Sequence, residues 1–185
     1  MIATIKSVGH KHTKSDILSA ALDAALDDGL SQLSFGRLAK RIGISDRVIV
    51  YYFPTKADLI GEVIVAMGLE LQARLANAFT TPAVDHIEMT RTAWPLLALP
   101  GNDRVFALFF EANGLAAVGR EPYASLVPSL IAGWIEFAAS LMAGTPAQRR
   151  AQAEGAIATI EGLILLRLLA GPKPANRAAK TLGIA

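Results

Sequence analysis

The chain has 185 residues, 52% of them hydrophobic, and a formal net charge of +2. Such a chain can bury a sizeable core in one or two domains, which excludes intrinsic disorder. It contains no cysteine, which excludes disulfides and thiolate metal sites.

The first residues lack the continuous apolar core of a signal peptide. The longest uncharged run is shorter than the roughly 18 to 20 apolar residues that span a bilayer, and it contains Ser and Pro. We therefore expect a cytoplasmic protein without a membrane partner. Residues 1–56 carry eight Lys or Arg and five Asp, whereas the remainder carries ten basic and eleven acidic residues. An excess this small fits a polyanionic partner or an ordinary solvated face.

Apolar residues recur at helical spacing throughout, without the alternation of a strand, so the sequence predicts an all-α fold. The first predicted helix covers residues 13–28, with Thr13 three residues ahead of Asp16 as in a capping box. Gly29 is predicted to end it in a left-handed conformation. Three further starts are predicted from the capping residues Ser34, Ser45 and Thr55.

The fourth predicted helix runs long, over residues 55–79, until Pro82 breaks the pattern. Beyond it, Pro128 predicts a helix that is either kinked or begins near Leu126. The tail after Gly171 is expected to be only partly ordered. The predicted helices after Pro82 cover residues 83–99, 102–118, 123–143 and 146–170.

The stretch SFGRLAKRIGISDRVIVYYFPTK, residues 34–56, has the spacing of a helix-turn-helix. Counted from Phe35, Ala39 is fifth, Gly43 ninth and Ile49 fifteenth. A small residue is needed where the two helices cross, and glycine turns the chain with positive φ without a Cβ clash. This arrangement aims the second helix at a major groove, although an ordinary pair of core helices also fits. The pattern places Lys40, Arg41, Asp46 and Arg47 outside a core of Leu38, Ile42, Ile44, Ile49 and Tyr52.

Residues 17–60, ILSAALDAALDDGLSQLSFGRLAKRIGISDRVIVYYFPTKADLI, resemble the TetR family of transcriptional regulators. The resemblance implies a three-helix DNA-binding head at residues 1–56 and a helical ligand-binding and dimerisation body at residues 57–185. We therefore expect a repressor that binds a palindromic double-stranded operator as a homodimer, without a cofactor. A small apolar or amphipathic effector that enters the body is expected to release the repressor from the operator. The alternative is a helical interaction module whose head docks protein.

The resemblance also implies roles for single residues of the head. The residues facing base edges or the adjacent backbone are Ser45, Arg47 and Val48. Phosphate contacts are expected from Ser34, Arg37, Tyr51 and Lys56. Physical chemistry supports two of these roles: the Arg47 guanidinium can bind guanine O6 and N7, and Lys56 stands beside free helix amides that favour a phosphate.

Val50 departs from the family pattern, which usually has a tyrosine there that touches the DNA backbone. Valine has no donor, so either one phosphate contact is missing or Tyr51 compensates. Lys11 and Lys14, at or before the first helix, either touch the backbone or are solvated.

The segment 102–118 carries an aromatic stripe with one amide on its flank, and the segment 83–99 offers Met89, Trp94 and Leu97 together with a few polar groups. An apolar cavity with a few polar groups is what a small-molecule site requires, so we predict a pocket there. Aromatic residues at helical spacing also occur in plain cores, and this alternative stays open. The candidate pocket residues are Met89, Trp94, Phe106, Phe109, Phe110 and Asn113.

The run IATIEGLILLRLL, residues 157–169, is apolar on nearly all sides and must be buried somewhere. Pairing with the same helices of a second chain would bury it, and burial inside one chain is the alternative. The predicted dimer residues are Gly155, Ile160, Gly162, Leu163 and Leu166.

No GxSxG, P-loop, HExxH or dinucleotide motif is present, and the three histidines lack metal-ligand partners at helical spacing. We therefore expect neither an enzyme nor a metal site.

Overall fold

A computed structural model describes residues 12–185, so the predicted contact of Lys11 lies outside the described residues. This part of the chain forms nine α-helices and no strand, which confirms the predicted all-α class. None of these helices has the length and apolarity needed to cross a membrane. In chain order the helices are α1 (Lys14–Asp28), α2 (Phe35–Ile42), α3 (Asp46–Tyr52), α4 (Lys56–Ala76), α5 (His86–Leu97), α6 (Asp103–Ala117), α7 (Tyr123–Ser140), α8 (Pro146–Ala170) and α9 (Pro172–Thr181).

The four helix starts predicted from the capping residues Thr13, Ser34, Ser45 and Thr55 are confirmed, because they depend on local chemistry. Thr13 and Thr55 each form a capping box with the Asp three residues later. Ser45 stands at the N-cap of α3, but its hydroxyl makes no capping hydrogen bond. Gly29 has φ 92° and ψ 156°, so the chain leaves α1 extended and not in the predicted left-handed turn.

The structure differs from three details of the predicted helices. Helix α4 ends at Ala76, and two tight turns carry the chain on to Phe79. Helix α7 begins at Tyr123, as the predicted segment 123–143 does, and runs through Pro128, so the alternative start near Leu126 was wrong. The tail after Gly171, which was expected to be only partly ordered, forms α9 because Ala175 and Ala179 are fully buried in its packing against α8.

The core joins the head to the body. One cluster contains the buried faces of α1 to α4 together with Leu108 and Ala112 of α6 and Val127 of α7. A second cluster lies deeper in the body, between α4, α5, α6, α8 and α9. The two clusters meet along α4 and α6, so these two helices run from the head into the body.

Candidate nucleic-acid interface and effector cavity

Helices α2 and α3 form the predicted helix-turn-helix. Gly43 has φ 71° and ψ 32°, a left-handed conformation that glycine adopts without strain. The Ile44 amide donates to the Ala39 carbonyl at 3.1 Å, which closes the turn. Leu38 and Ile49 are almost fully buried, and they hold α3 against the head with the opposite face turned to solvent.

The candidates for contact with base edges differ in their exposure to solvent. Ser45 and Arg47 are exposed, and Val48 is half-buried and packs against the head core. Arg47 has no hydrogen bond or ion pair with any residue in the described range 12–185. Its guanidinium is therefore free to meet a partner outside the chain.

The phosphate candidates lie around the same face. The Arg37 amide donates to the Ser34 hydroxyl at 3.4 Å, and the Arg37 guanidinium donates to Gln32 Oε1 at 2.6 Å. Lys56 is exposed, and its Nζ donates to the Ser31 carbonyl at 3.5 Å. These contacts orient the cationic side chains without neutralising them.

Tyr51 and Tyr52 at the C-terminal end of α3 lie next to Val50, which stands where the family pattern usually has a tyrosine. Tyr51 is 80% exposed, and Val50 beside it is 43% exposed. The Tyr51 ring packs edge-on against Tyr52, with centroids 5.0 Å apart. The phenol of Tyr51 is thus held at the surface next to the position that lacks a donor.

Arg41 and Lys14, two other cations of the head, form ion pairs within the protein. Asp27 accepts from Arg41 of α2 and, at 2.6 Å, from Arg104 of α6. Hydrogen bonds from Arg41 and then Arg104 lower the pKa of Asp27, and the bond to Asp27 raises the pKa of Arg41. Lys14 pairs with Glu62 at 2.6 Å. The sequence placed Arg41 outside the head core but did not reveal this pairing.

The body contains a cavity of about 210 Å³ between α4, α5, α6, α7 and α8. The predicted Met89, Phe106, Phe109 and Phe110 line it. Trp94 lies outside the lining, in the neighbouring core. Asn113 is also outside the lining, and its Oδ1 atom is buried without a hydrogen-bond partner in the described structure.

Helices α4, α7 and α8 supply lining residues that the sequence did not single out. Trp134 and Phe137 come from α7, and Ile160 and Glu161 come from α8. A Cβ built on Gly68 of α4 would lie 3.6 Å from the Trp134 ring, an ordinary contact distance, so α4 packs beside that wall. Burial raises the pKa of Glu161.

Helix α6 connects the cavity to the head. Its Glu111 carboxylate accepts from the Leu30 and Ser31 amides, both at 2.9 Å, in the turn between α1 and α2. Its Arg104 donates to the Leu26 carbonyl at 2.8 Å. Asp103 anchors the same helix to α8, since Arg167 donates to it at 2.7 and 3.1 Å.

The predicted dimer residues fall in different environments of α8. Leu163 is buried within the chain, Leu166 is half-buried, and Ile160 lines the cavity. A Cβ on Gly155 would lie 3.5 Å from His86 of α5, whereas one on Gly162 would meet open space. The exposed face of α8 also carries Ala158, Leu165 and Leu169.

Residues 17–63 match the family model described as bacterial regulatory proteins, tetR family. A comparison with curated protein sequences gives no match. A transcriptional regulator from Rhodococcus sp. Rha1 has a similar fold, at 21% identity over 92% of this chain and 94% of that chain, with a TM-score of 0.71. A TetR transcriptional regulator from Legionella pneumophila is similar at 22% identity, 92% and 94% coverage, and a TM-score of 0.62. The multidrug binding protein EbrR, complexed with imidazole, is similar at 24% identity, 98% and 97% coverage, and a TM-score of 0.67.

The family model covers the head, and the likeness in fold extends over the head and the body. The helix-turn-helix with its exposed outer face lies within the matched segment, so residues 17–63 are similar to bacterial regulatory proteins of the tetR family, and the chain shares the fold of the transcriptional regulators named above.

Proposed function

We propose that the protein is a one-component repressor that binds a palindromic operator as a homodimer in the cytoplasm and is released by a small apolar or amphipathic ligand. The observation that carries this proposal is the contrast between the arginines of the head. Arg41 is held by Asp27, whereas Arg47, at the tip of α3, has no partner among residues 12–185. A planar guanidinium on an exposed helix tip suits bidentate binding to guanine in the major groove.

The proposed DNA surface combines this base contact with a rim of phosphate contacts. Ser34, Arg37, Tyr51 and Lys56 are exposed or half-exposed around α3. Phosphate contacts fix the register of a protein on a duplex, and base contacts give sequence preference. Tyr51 takes over the backbone contact that Val50 cannot make.

The proposed dimer pairs the exposed faces of α7 and α8 with those of a second chain. On α8 the face consists of Ala158, Gly162, Leu165 and Leu169, which are small or apolar. Leu169 is 80% exposed and Leu165 is 40% exposed. Burial of such a stripe against its own copy would remove apolar surface from water and place two heads side by side.

The proposed release runs from the cavity to the head through α6 as well as α4. Phe106, Phe109 and Phe110 line the cavity, and Glu111 follows them directly and holds the turn before α2. A ligand that displaces α6 therefore displaces a bond to the head. The two binding events are linked, so they change each other's affinity by the same factor. If the ligand weakens operator binding by a given factor, the operator-bound protein must bind the ligand more weakly than the free protein by that factor.

Selection of bound duplexes from a random pool, followed by a salt titration, tests the proposal. We expect an enriched palindrome whose half-sites lie about 34 to 36 Å apart or at a multiple of that repeat. We expect the affinity to fall steeply with salt, because bound phosphates release counterions. Recovery of no enriched sequence, together with salt-independent binding, would favour a head that docks protein.

A further inference from the structure

The effector cavity contains one group that its apolar walls do not explain. Of the described residues that line it, Glu161 alone carries an ionisable side chain, and Gln72 and Ser129 are the other polar ones. A charged carboxylate next to apolar walls costs free energy unless a partner meets it. A cavity selected for a purely apolar ligand has no use for such a group.

Glu161 has no hydrogen bond or ion pair with any residue from 12 to 185. The carboxylates of Glu136 and Glu154, on α7 and α8, both pair with Arg150. Burial raises the pKa of Glu161, which means that its ionised form is destabilised in the free protein. A positive charge brought into the cavity would offset this cost.

The walls of the cavity also favour a cation. Six aromatic rings contribute to the lining, and the electron-rich face of an aromatic ring attracts an ammonium within about 6 Å. Two edge-to-face pairs hold four of these rings, with centroids 5.9 Å apart for Phe109 and Phe110 and 5.8 Å apart for Trp134 and Phe137. The other two rings are Phe79 and Phe106.

The size of the cavity limits the ligand. Its volume of about 210 Å³ lies below the roughly 300 to 1,000 Å³ of pockets that hold drug-sized molecules. One aromatic ring with a few short alkyl groups suits such a space better than a polycyclic molecule.

We propose that the effector is a small lipophilic monocation, an aromatic or alkyl ammonium whose charge is met by the carboxylate of Glu161. The apolar part of the ligand lies among the phenylalanines of α6 and the aromatic residues of α7. This inference rests on the proposed ligand-responsive function and adds to it the charge and the size of the ligand.

Two probes of the same shape test the assignment: phenyltrimethylammonium, and tert-butylbenzene, in which carbon replaces the charged nitrogen. Each is equilibrated with the full-length protein by dialysis in sealed cells. The variants are Glu161→Gln, which removes the charge and keeps the shape, and Glu154→Gln as a control on the same helix outside the cavity. Circular dichroism verifies that both variants are folded.

We expect the wild-type protein to bind the cation at least about tenfold more tightly than the neutral probe, a difference of about 1.4 kcal/mol. Glu161→Gln should abolish this preference without weakening the neutral probe, and Glu154→Gln should keep it. Equal binding of the two probes to the wild-type protein, or a preference that survives in Glu161→Gln, overturns the cation assignment and leaves a ligand cavity in place. Absence of binding by both probes overturns the cation assignment together with the proposed use of the cavity.

Discussion

Replacing Glu111 with alanine should weaken the attachment of α6 to the head. The carboxylate accepts two backbone hydrogen bonds at 2.9 Å, from Leu30 and Ser31. The Leu30 residue is fully buried, so its amide has no easy access to water once the carboxylate is gone, whereas Ser31 is exposed. The loss should therefore come mainly from the Leu30 bond.

The expected cost follows from the charge on the acceptor. A hydrogen bond to a charged group contributes about 1.5 to 3 kcal/mol, and water replaces most of the Ser31 bond. We expect Glu111→Ala to lower the free energy of unfolding by about 2 to 3 kcal/mol. Urea denaturation at one fixed protein concentration measures it, because a dimer's stability depends on concentration.

Hydrogen exchange makes the test local. The Leu30 amide should exchange faster in Glu111→Ala, while amides of α8 change only by the global loss of stability. Glu70→Ala is the matched control, since Glu70 is exposed on α4 and has no partner among residues 12–185. A loss in Glu111→Ala no larger than in the control, with unchanged exchange at Leu30, would refute a head held by α6.

Three more outcomes can be measured. Arg47→Ala should cost about 1 to 3 kcal/mol of affinity for the proposed operator and relax the sequence preference at one base pair per half-site. Arg41→Ala should leave the sequence preference unchanged, because the Arg41 guanidinium is already paired with Asp27. An equal loss of sequence preference in both variants would contradict the assigned roles. Leu165→Asp should convert the proposed dimer to a monomer in sedimentation equilibrium, because it places a charge in the exposed apolar face of α8. A dimer that survives this substitution would argue against that face as the dimer interface. Burial raises the pKa of Glu161 in the folded state above its value in the unfolded state. The contribution of Glu161 to the free energy of unfolding is therefore fully present below the unfolded-state pKa and is lost as the pH rises through the folded-state pKa. Denaturation at a series of pH values should show a smaller decline for Glu161→Gln than for wild type, and identical pH profiles would contradict the burial effect.

Helix starts and the turn of the head could be predicted from the sequence because a few adjacent residues decide them. Thr13, Thr55 and Thr145 each form a capping box with the residue three positions later. Gly43 adopts the positive φ that its position in the motif requires. These features needed no knowledge of distant parts of the chain.

Features that depend on packing could not be predicted in this way. Helix α9 has two prolines in its first turn and few apolar residues, and it is stabilised by contacts of Ala175 and Ala179 with α8. Glu161 lies in a strongly apolar run, and only the fold shows that it borders a cavity. The aromatic spacing of α6 identified three lining residues, but Trp134 and Phe137 required the position of α7.

Gly68 is a position at which the cavity can change without a change in the helix-turn-helix. The residue lies in the middle of α4, about 18 Å along the helix from Lys56. A methyl group there would stand at an ordinary contact distance from Trp134 and narrow the cavity, while alanine also favours the helix by roughly 0.5 to 1 kcal/mol. If the proposed function holds, a descendant of this chain can take a smaller ligand through one stabilising substitution and keep its DNA-binding surface unchanged.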